Sequence, residues 1–209
     1  MTSLLVLGAG GHGAVVAEAA LAAGSWDTVR FLDDAVAPGE TVVGCEVLGT
    51  LDDWAAHAGN DGQLVVAIGR NRVREDVAAR VEAQGGMLAS VIHPNAVVSP
   101  SATIGAGAVV FAGAVINARA SIGSGAIINT GATVDHDCIV GDFAHVSPGA
   151  NIAGEVTLGA RSWVGIGAAI RECLVVGADA TVGAGSSVVA DVAEGATVVG
   201  VPAQVLEQR

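Results

Sequence analysis

The chain of 209 residues contains no tyrosine, and its aromatic side chains are three Phe and three Trp. A globular core usually fills irregular space with rings. With so few of them, this one must be built from small and β-branched residues stacked in regular layers. Lysine is also absent, the arginines are scattered, and the formal net charge is −12. That excludes nucleic acid as the main partner, because a polyanion needs a basic patch. A small anionic ligand stays open, since helix N-termini and backbone N–H groups bind phosphate without a basic surface. The three cysteines, Cys45, Cys138 and Cys173, are odd in number and match no metal-ligand spacing. They read as reduced thiols of a cytoplasmic protein with no metal. No 18-residue stretch stays apolar, so no membrane span is expected. The apolar start through Leu7 has no basic flank, so it does not read as a signal peptide.

What the chain has in abundance is repetition. Every sixth residue from Ile92 to Val188 is Ile, Val or Leu, in 17 consecutive positions. The residue four further on is small in nearly every repeat (Ala96, Ala102, Ala108 and onward), and glycine often follows the aliphatic one, as in Ile104-Gly105 and Val140-Gly141. A period of six fits neither an α-helix nor a strand meander. It fits a three-sided coil in which each aliphatic residue points inward, each glycine permits a tight corner and the small residues let the corners close. Residues 18 apart then stack at about 4.8 Å, the spacing of adjacent strands. The repeats make between five and six coils. The period does not set their hand.

The segment in front reads differently. Leu4–Leu7 is a buried parallel strand, followed by a glycine loop and an Ala-rich helix from about Ala14 to Ala23. Strands at Val29–Leu32 and Leu64–Ile68, a helix ending near Gln84 and a strand around Met87–Val91 complete a parallel α/β unit. The expected division is a Rossmann-like domain over 1–90 and the coil over 91–209. Gly8, Gly10 and Gly13 satisfy a dinucleotide fingerprint, with an acid, Asp33, 20 residues beyond Gly13. Roughly 90 residues supply only one mononucleotide-binding half. A nucleotide diphosphate over the first helix, with Asp33 or Asp34 near its ribose or base, fits the length better. The alternative is a glycine turn needed only for close packing.

Five histidines are candidates for chemistry. His57 reads as a solvated loop residue, His93 as structural, and His12 lies inside the glycine loop. His136 and His145 interrupt a repeat that otherwise carries small and apolar residues. His136 is flanked by Asp135 and Asp137, and a carboxylate beside an imidazole fixes its tautomer and stabilises its cation. That suits a general base, with either acid as its partner. No Gly-x-Ser-x-Gly elbow is present, so direct attack in a ternary complex is expected rather than an acyl-enzyme.

The order of parts resembles the sialic acid O-acetyltransferase family of hexapeptide-repeat acyltransferases, nearest its branch of UDP-4-amino-sugar N-acetyltransferases of the bacillosamine pathway. The resemblance rests on Gly8 to Gly13, Phe31 to Asp34, Ala67 to Asn71, Val134 to Gly141 and the Val199-Gly200-Val201-Pro202-Ala203 end. It implies a left-handed β-helix, a homotrimer with active sites between coils, and acetyl-CoA as acyl donor. His136 would be the base, oriented by Asp137, where the family usually has Glu; Asn129 and His145 would lie near the reacting centre. Gly154 would hold the thioester carbonyl, and acetyl-CoA would run past Ile166 and Ala184. The nucleotide-linked sugar would bind Gly11, His12, Gly13, Asp33, Asp34, Gly69 and Arg70. The rival readings are O-acetylation of a sialic acid or other sugar hydroxyl, acetylation of an amino acid such as serine, a dinucleotide-dependent oxidoreductase, and a catalytically silent nucleotide-binding trimer.

Overall fold

Strand β1, Ser3–Leu7, is buried over four of its five residues, as an apolar run covered on both faces requires. It leads into helix α1, Gly11–Ala23, and strand β2, Thr28–Leu32. A short hairpin follows, β3 (Thr41–Val42) and β4 (Cys45–Glu46), then a 3₁₀ turn at Leu51–Asp53 and helix α2, Trp54–Ala58. Strand β5 (Gln63–Val66), helix α3 (Asn71–Ala83) and strand β6 (Met87–Leu88) close the unit. The computed structural model describes residues 2–58 and 62–206, and its contacts divide the chain into Met1–Pro94 and Asn95–Arg209.

The four parallel strands lie in the order β2-β1-β5-β6. The chain therefore leaves β1 in one direction to β2 and returns on its other side at β5. The carboxyl ends of β1 and β5 flank a topological switch point, the place where such sheets leave a crevice for ligand. Two details differ from expectation. Helix α1 starts at Gly11, three residues before Ala14, so the last glycines of the loop are its first turn. His57 lies in helix α2 rather than in a loop; a capping box between Thr50 and Asp53 starts that helical stretch, and His57 stays exposed.

In the second unit the inward ladder is nearly complete. Val110, Ile116, Ile122, Ile128 and their successors to Val188 are at most 2% exposed. The small residues at the fifth position, Ala108 through Ala150 with Cys138 among them, belong to the same core. At the start Val98 and Ile104 are only partly buried, because no full coil covers them from below. The strands form three parallel sheets. The first runs from Val97–Val98 to Ser187–Val188, the second from Thr103–Ile104 to Val175–Val176, and the third includes Val109–Val110 and Thr181–Val182. Pairing is between residues 18 apart, as in Ile127, His145, Trp163 and Thr181 on the third sheet. Beyond Val188 the step shortens to 16, Val182 pairing with Val198, and a hairpin of Thr197–Val199 with Gln204–Val205 ends the described chain.

The corners assign the glycines differently from the sequence reading. The left-handed residue is the third after each inward aliphatic one, in 14 successive repeats from Gly107 to Gly185, and half of these are not glycine. Arg119, Asp137, Glu155, Arg161, Cys173 and Asp179 all hold φ near +60° there. The glycine directly after the aliphatic residue serves stacking instead. A Cβ at Gly105 would stand 2.5 Å from the backbone nitrogen of Ser124, and one at Gly141 would stand 2.6 Å from that of Ala160. Those glycines let one coil lie directly on the next.

Candidate active site

The corner joining the first and second sheets carries the histidine motif. His136 Nδ1 is 2.8 Å from Asp137 Oδ2. Asp135 turns elsewhere: its Oδ1 accepts from the His136 backbone N–H at 2.7 Å and from Asn117 Nδ2 at 2.8 Å. The choice between the two acids thus falls on Asp137, because its left-handed backbone swings its side chain to the imidazole. Arg119, one coil away, grips Asp137 with both prongs of its guanidinium, Nε to Oδ1 at 2.6 Å and Nη2 to Oδ2 at 2.7 Å. Arg119, and then His136, bring the Asp137 carboxyl down to about 2. The hydrogen bond to Asp137 holds the His136 imidazole above its ordinary value; partial burial opposes it, and the charges of Asp135, Asp137 and Glu155 add to it. Asn117 and the His136 backbone lower Asp135.

With Nδ1 donating to Asp137, the lone pair of His136 lies on Nε2. Gly154 sits beneath that atom: a Cβ there would be 2.6 Å from both Nε2 and Cε1. Its N–H makes no hydrogen bond among the described residues. The imidazole itself is half-exposed.

Asn129, His145, Ile166 and Ala184 gather elsewhere, along the corner between the third and first sheets. Asn129 Nδ2 is 3.1 Å from His145 Nε2, and the His145 ring stacks on Trp163 with centroids 5.7 Å apart. Trp163 donates its indole N–H to Ser147 Oγ at 2.8 Å. His145, Trp163, Ile166 and Ala184 line an apolar groove of about 420 Å³. Ile166 and Ala184 stack one coil apart, as their spacing demands, and the Gly185 N–H donates to Ile166 O at 2.8 Å. Trp163 was not singled out in the sequence; its signal is a Trp exactly one coil after His145 in a chain with only three. Within a single chain, His136 and this groove lie on different edges of the prism, on either side of the first sheet.

The front unit brings together a third group. Gly8 and Gly13 are packing glycines: a Cβ at Gly13 would collide with Gly8 O, and one at Gly8 would lie 2.9 Å from Ala67 O. Gly10, Gly11 and Gly69 face open space. The loop therefore divides the two readings, with two glycines for packing and two for access. The N-cap residues of α1 and α3, Gly10 and Arg70, make no side-chain cap hydrogen bond, and both helices begin at the switch point. Asp33 holds the loop in place, accepting from the N–H groups of Ala9 at 2.7 Å, Ala35 at 2.7 Å and Val36 at 3.0 Å. Burial pushes its carboxyl up, but those three donors outweigh it and bring it below its ordinary value. Asp34 accepts from the Leu51 N–H at 3.0 Å, and Arg70 is exposed at the N-cap of α3. Arg74, which the sequence does not single out, is 1% exposed. It donates to the carbonyls of Ile68 and Gly69 and to Asn71 Oδ1, and so shapes the second loop of the crevice. Burial, helped by the Arg74 charge, lowers His12 to about 4, so the ring is neutral at physiological pH.

Among the described residues, no group of three or more His, Cys, Asp or Glu side chains is placed to hold a metal ion. No helix among them is long and apolar enough to cross a membrane.

Residues 3–81 match the family described as the PglD N-terminal domain. No curated protein sequence matches the chain. Solved structures do. The acetyltransferase domain of PglB from Neisseria gonorrhoeae, in complex with acetyl coenzyme A, is 44% identical, with 98% of each chain covered and a TM-score of 0.94. Perosamine N-acetyltransferase from Caulobacter crescentus, solved as a histidine-to-asparagine variant with CoA and GDP-perosamine, is 40% identical over 99% of this chain and 97% of its own, with a TM-score of 0.92. WeeI from Acinetobacter baumannii is 28% identical over 99% of this chain and all of its own, with a TM-score of 0.90. The chain belongs to the hexapeptide-repeat acetyltransferases in which a Rossmann-like, PglD-type N-terminal domain precedes a left-handed β-helix.

Proposed function

We propose that the protein transfers acetyl from acetyl-CoA to the amine of a nucleotide-activated 4-amino-4,6-dideoxy sugar, with His136 as general base. The observation that carries this is the His136–Asp137 pair at 2.8 Å, with the imidazole Nε2 beside Gly154. The identity to enzymes solved with acetyl-CoA and with GDP-perosamine supports the reaction class. In this reading Nε2 takes a proton from the sugar amine, the amine nitrogen attacks the thioester carbonyl, and coenzyme A leaves as its thiol. Asp137 holds the imidazole in the required tautomer. The Gly154 N–H steadies the oxyanion that develops on the thioester oxygen.

The apolar groove past His145, Ile166 and Ala184 takes the pantetheine of acetyl-CoA, with Asn129 beside the reacting end. The crevice between Gly11–Gly13 and the Gly69-Arg70 turn takes the sugar nucleotide, its diphosphate at the N-terminus of α1. Asp34 remains a partner for the ribose or base, while Asp33 shapes the loop. The domain pattern in this reading is nucleotide-sugar binding over 1–90 and acyl transfer over 91–209. Because base and groove lie on different edges of one chain, a working site needs a second copy, which supports a homotrimer with sites between neighbouring coils. The reaction is expected in the cytoplasm, where acetyl-CoA is available.

Thiol release from acetyl-CoA, measured with UDP-, GDP- and dTDP-linked 4-amino sugars and with free sialic acid, tests the reading. Fast release with one amino-sugar nucleotide confirms N-acetylation and names the nucleotide, expected to be UDP from the sequence but GDP in one relative. Release with sialic acid alone would mean O-acetylation. Failure of acetyl-CoA to bind at all would leave a silent nucleotide-binding trimer.

A further inference from the structure

We propose that Arg119 is a positioning residue for the transfer: through Asp137 it fixes the orientation of the His136 imidazole and limits its basicity. The proposal rests on the reading of His136 as base. Its ground is a three-member chain, Arg119 to Asp137 to His136, with three contacts between 2.6 and 2.8 Å.

Asp137 alone is a short side chain on an exposed corner, free to rotate about two torsions. The guanidinium closes on both carboxylate oxygens in the planar fork that only arginine provides, which leaves Oδ2 a single direction in which to meet Nδ1. Arg119 is itself anchored. Its backbone is left-handed, with φ 60°, directly one coil from Asp137, and its N–H donates to Ser101 Oγ at 3.1 Å. The two residues occupy the same corner position in successive coils, so the spacing that stacks the coils also sets the fork at bonding distance.

The charges point the same way. The groups facing His136 are the carboxylates of Asp135, Asp137 and Glu155. Each stabilises the imidazolium, and a base held as its cation accepts no proton. Arg119 brings a positive charge into this acidic cluster, bound to the Asp137 carboxylate. An exposed ion pair ordinarily adds little to stability. The effect of Arg119 is therefore on the orientation and charge of the imidazole rather than on folding.

Two substitutions separate the parts. Arg119→Gln keeps a donor and removes the charge; Arg119→Lys keeps the charge and removes the fork. The readouts are the His136 imidazole titration followed by NMR, the pH profile of kcat, and both KM values. In R119Q the imidazole titration moves up by about half a pH unit, as for one charge removed at a solvent-screened site. The acid limb of kcat moves with it. The plateau kcat falls about tenfold in R119Q and in R119K, with both KM values and the melting temperature near the parent's. In R119K the titration stays at the parent's position. An R119Q imidazole that titrates with the parent, together with a kcat within about twofold, overturns the role of Arg119. His136→Ala is run beside them: if it keeps near-parent turnover, the base assignment itself fails, whereas an inactive H136A with a silent R119Q removes Arg119 alone.

Discussion

Gly154 and His136 stand one coil apart, and a Cβ at Gly154 would lie 2.6 Å from Nε2 of the imidazole. The ring is supported on one side by a carboxylate and below by a residue that has no side chain. Its position is therefore set by an acid next to it in the chain and a glycine one coil further on.

Gly154→Ala should push the ring off its place while leaving the coil intact, because the clash is with the end of a side chain. Turnover falls about 10²-fold, as for a reacting group displaced by the order of an ångström. Circular dichroism and melting temperature stay near the parent's. Parent-like turnover would show that ring placement at this corner is unimportant.

The pH dependence follows from the charge cluster. To act as the proposed base His136 must be neutral, and Asp137 holds it above its ordinary 6.5, so activity is expected to rise with pH through a midpoint above that value. Asp137→Asn removes the hydrogen-bonded charge, and the midpoint moves down towards 6.5 while the plateau drops. For stability the sign is opposite in sense: a raised His136 contributes below its unfolded value and loses that contribution as pH rises through its folded one. A kcat profile of Asp137→Asn with an unmoved acid limb would break the link between the two residues.

Ile166→Glu places a charge in the groove that His145, Trp163 and Ala184 line. The expected result is acetyl-CoA affinity at least tenfold weaker by calorimetry, from about 1.5–3 kcal/mol of lost apolar contact and added desolvation. Sugar-nucleotide affinity should not change. Equal loss of both ligands would argue that the variant had damaged the fold.

In the front unit the two classes of glycine should separate. Gly13→Ala drives a methyl into Gly8 O, and overpacking against backbone costs about 1–3 kcal/mol or more, so the melting temperature drops. Gly11→Ala meets nothing within 4 Å; it folds normally, and its effect appears as a several-fold rise in the sugar-nucleotide KM. The comparison of melting curves with KM values decides whether the loop is built for packing, for access, or for both.

Much of this molecule was legible before its structure. A period of six with one aliphatic residue per repeat leaves no arrangement but a stacked coil, since a core residue in every repeat must find a partner one turn above. The α/β order in front was equally plain from its apolar runs and glycine loop. The hairpin β3–β4 and helix α2 escaped notice, because two-residue strands and a five-residue helix carry no periodic signal. Arg74 escaped for another reason. Nothing in its neighbours announces that an arginine on α3 will be 1% exposed and will hold the carbonyls of a loop.

The sequence by itself determined the coil, its inward ladder, the residues that stack 18 apart, and the presence of His136 among acids. These depend on spacing along one dimension, and spacing is what a sequence records. Only the tertiary structure decided that Asp137 and not Asp135 meets the imidazole, and that Arg119 grips that carboxylate from the coil before. It also placed His136 and the groove on different edges of the prism. Those outcomes depend on the left-handed turn of each corner, which sets where a side chain points, and on coils lying one upon another, which brings distant residues within bonding distance.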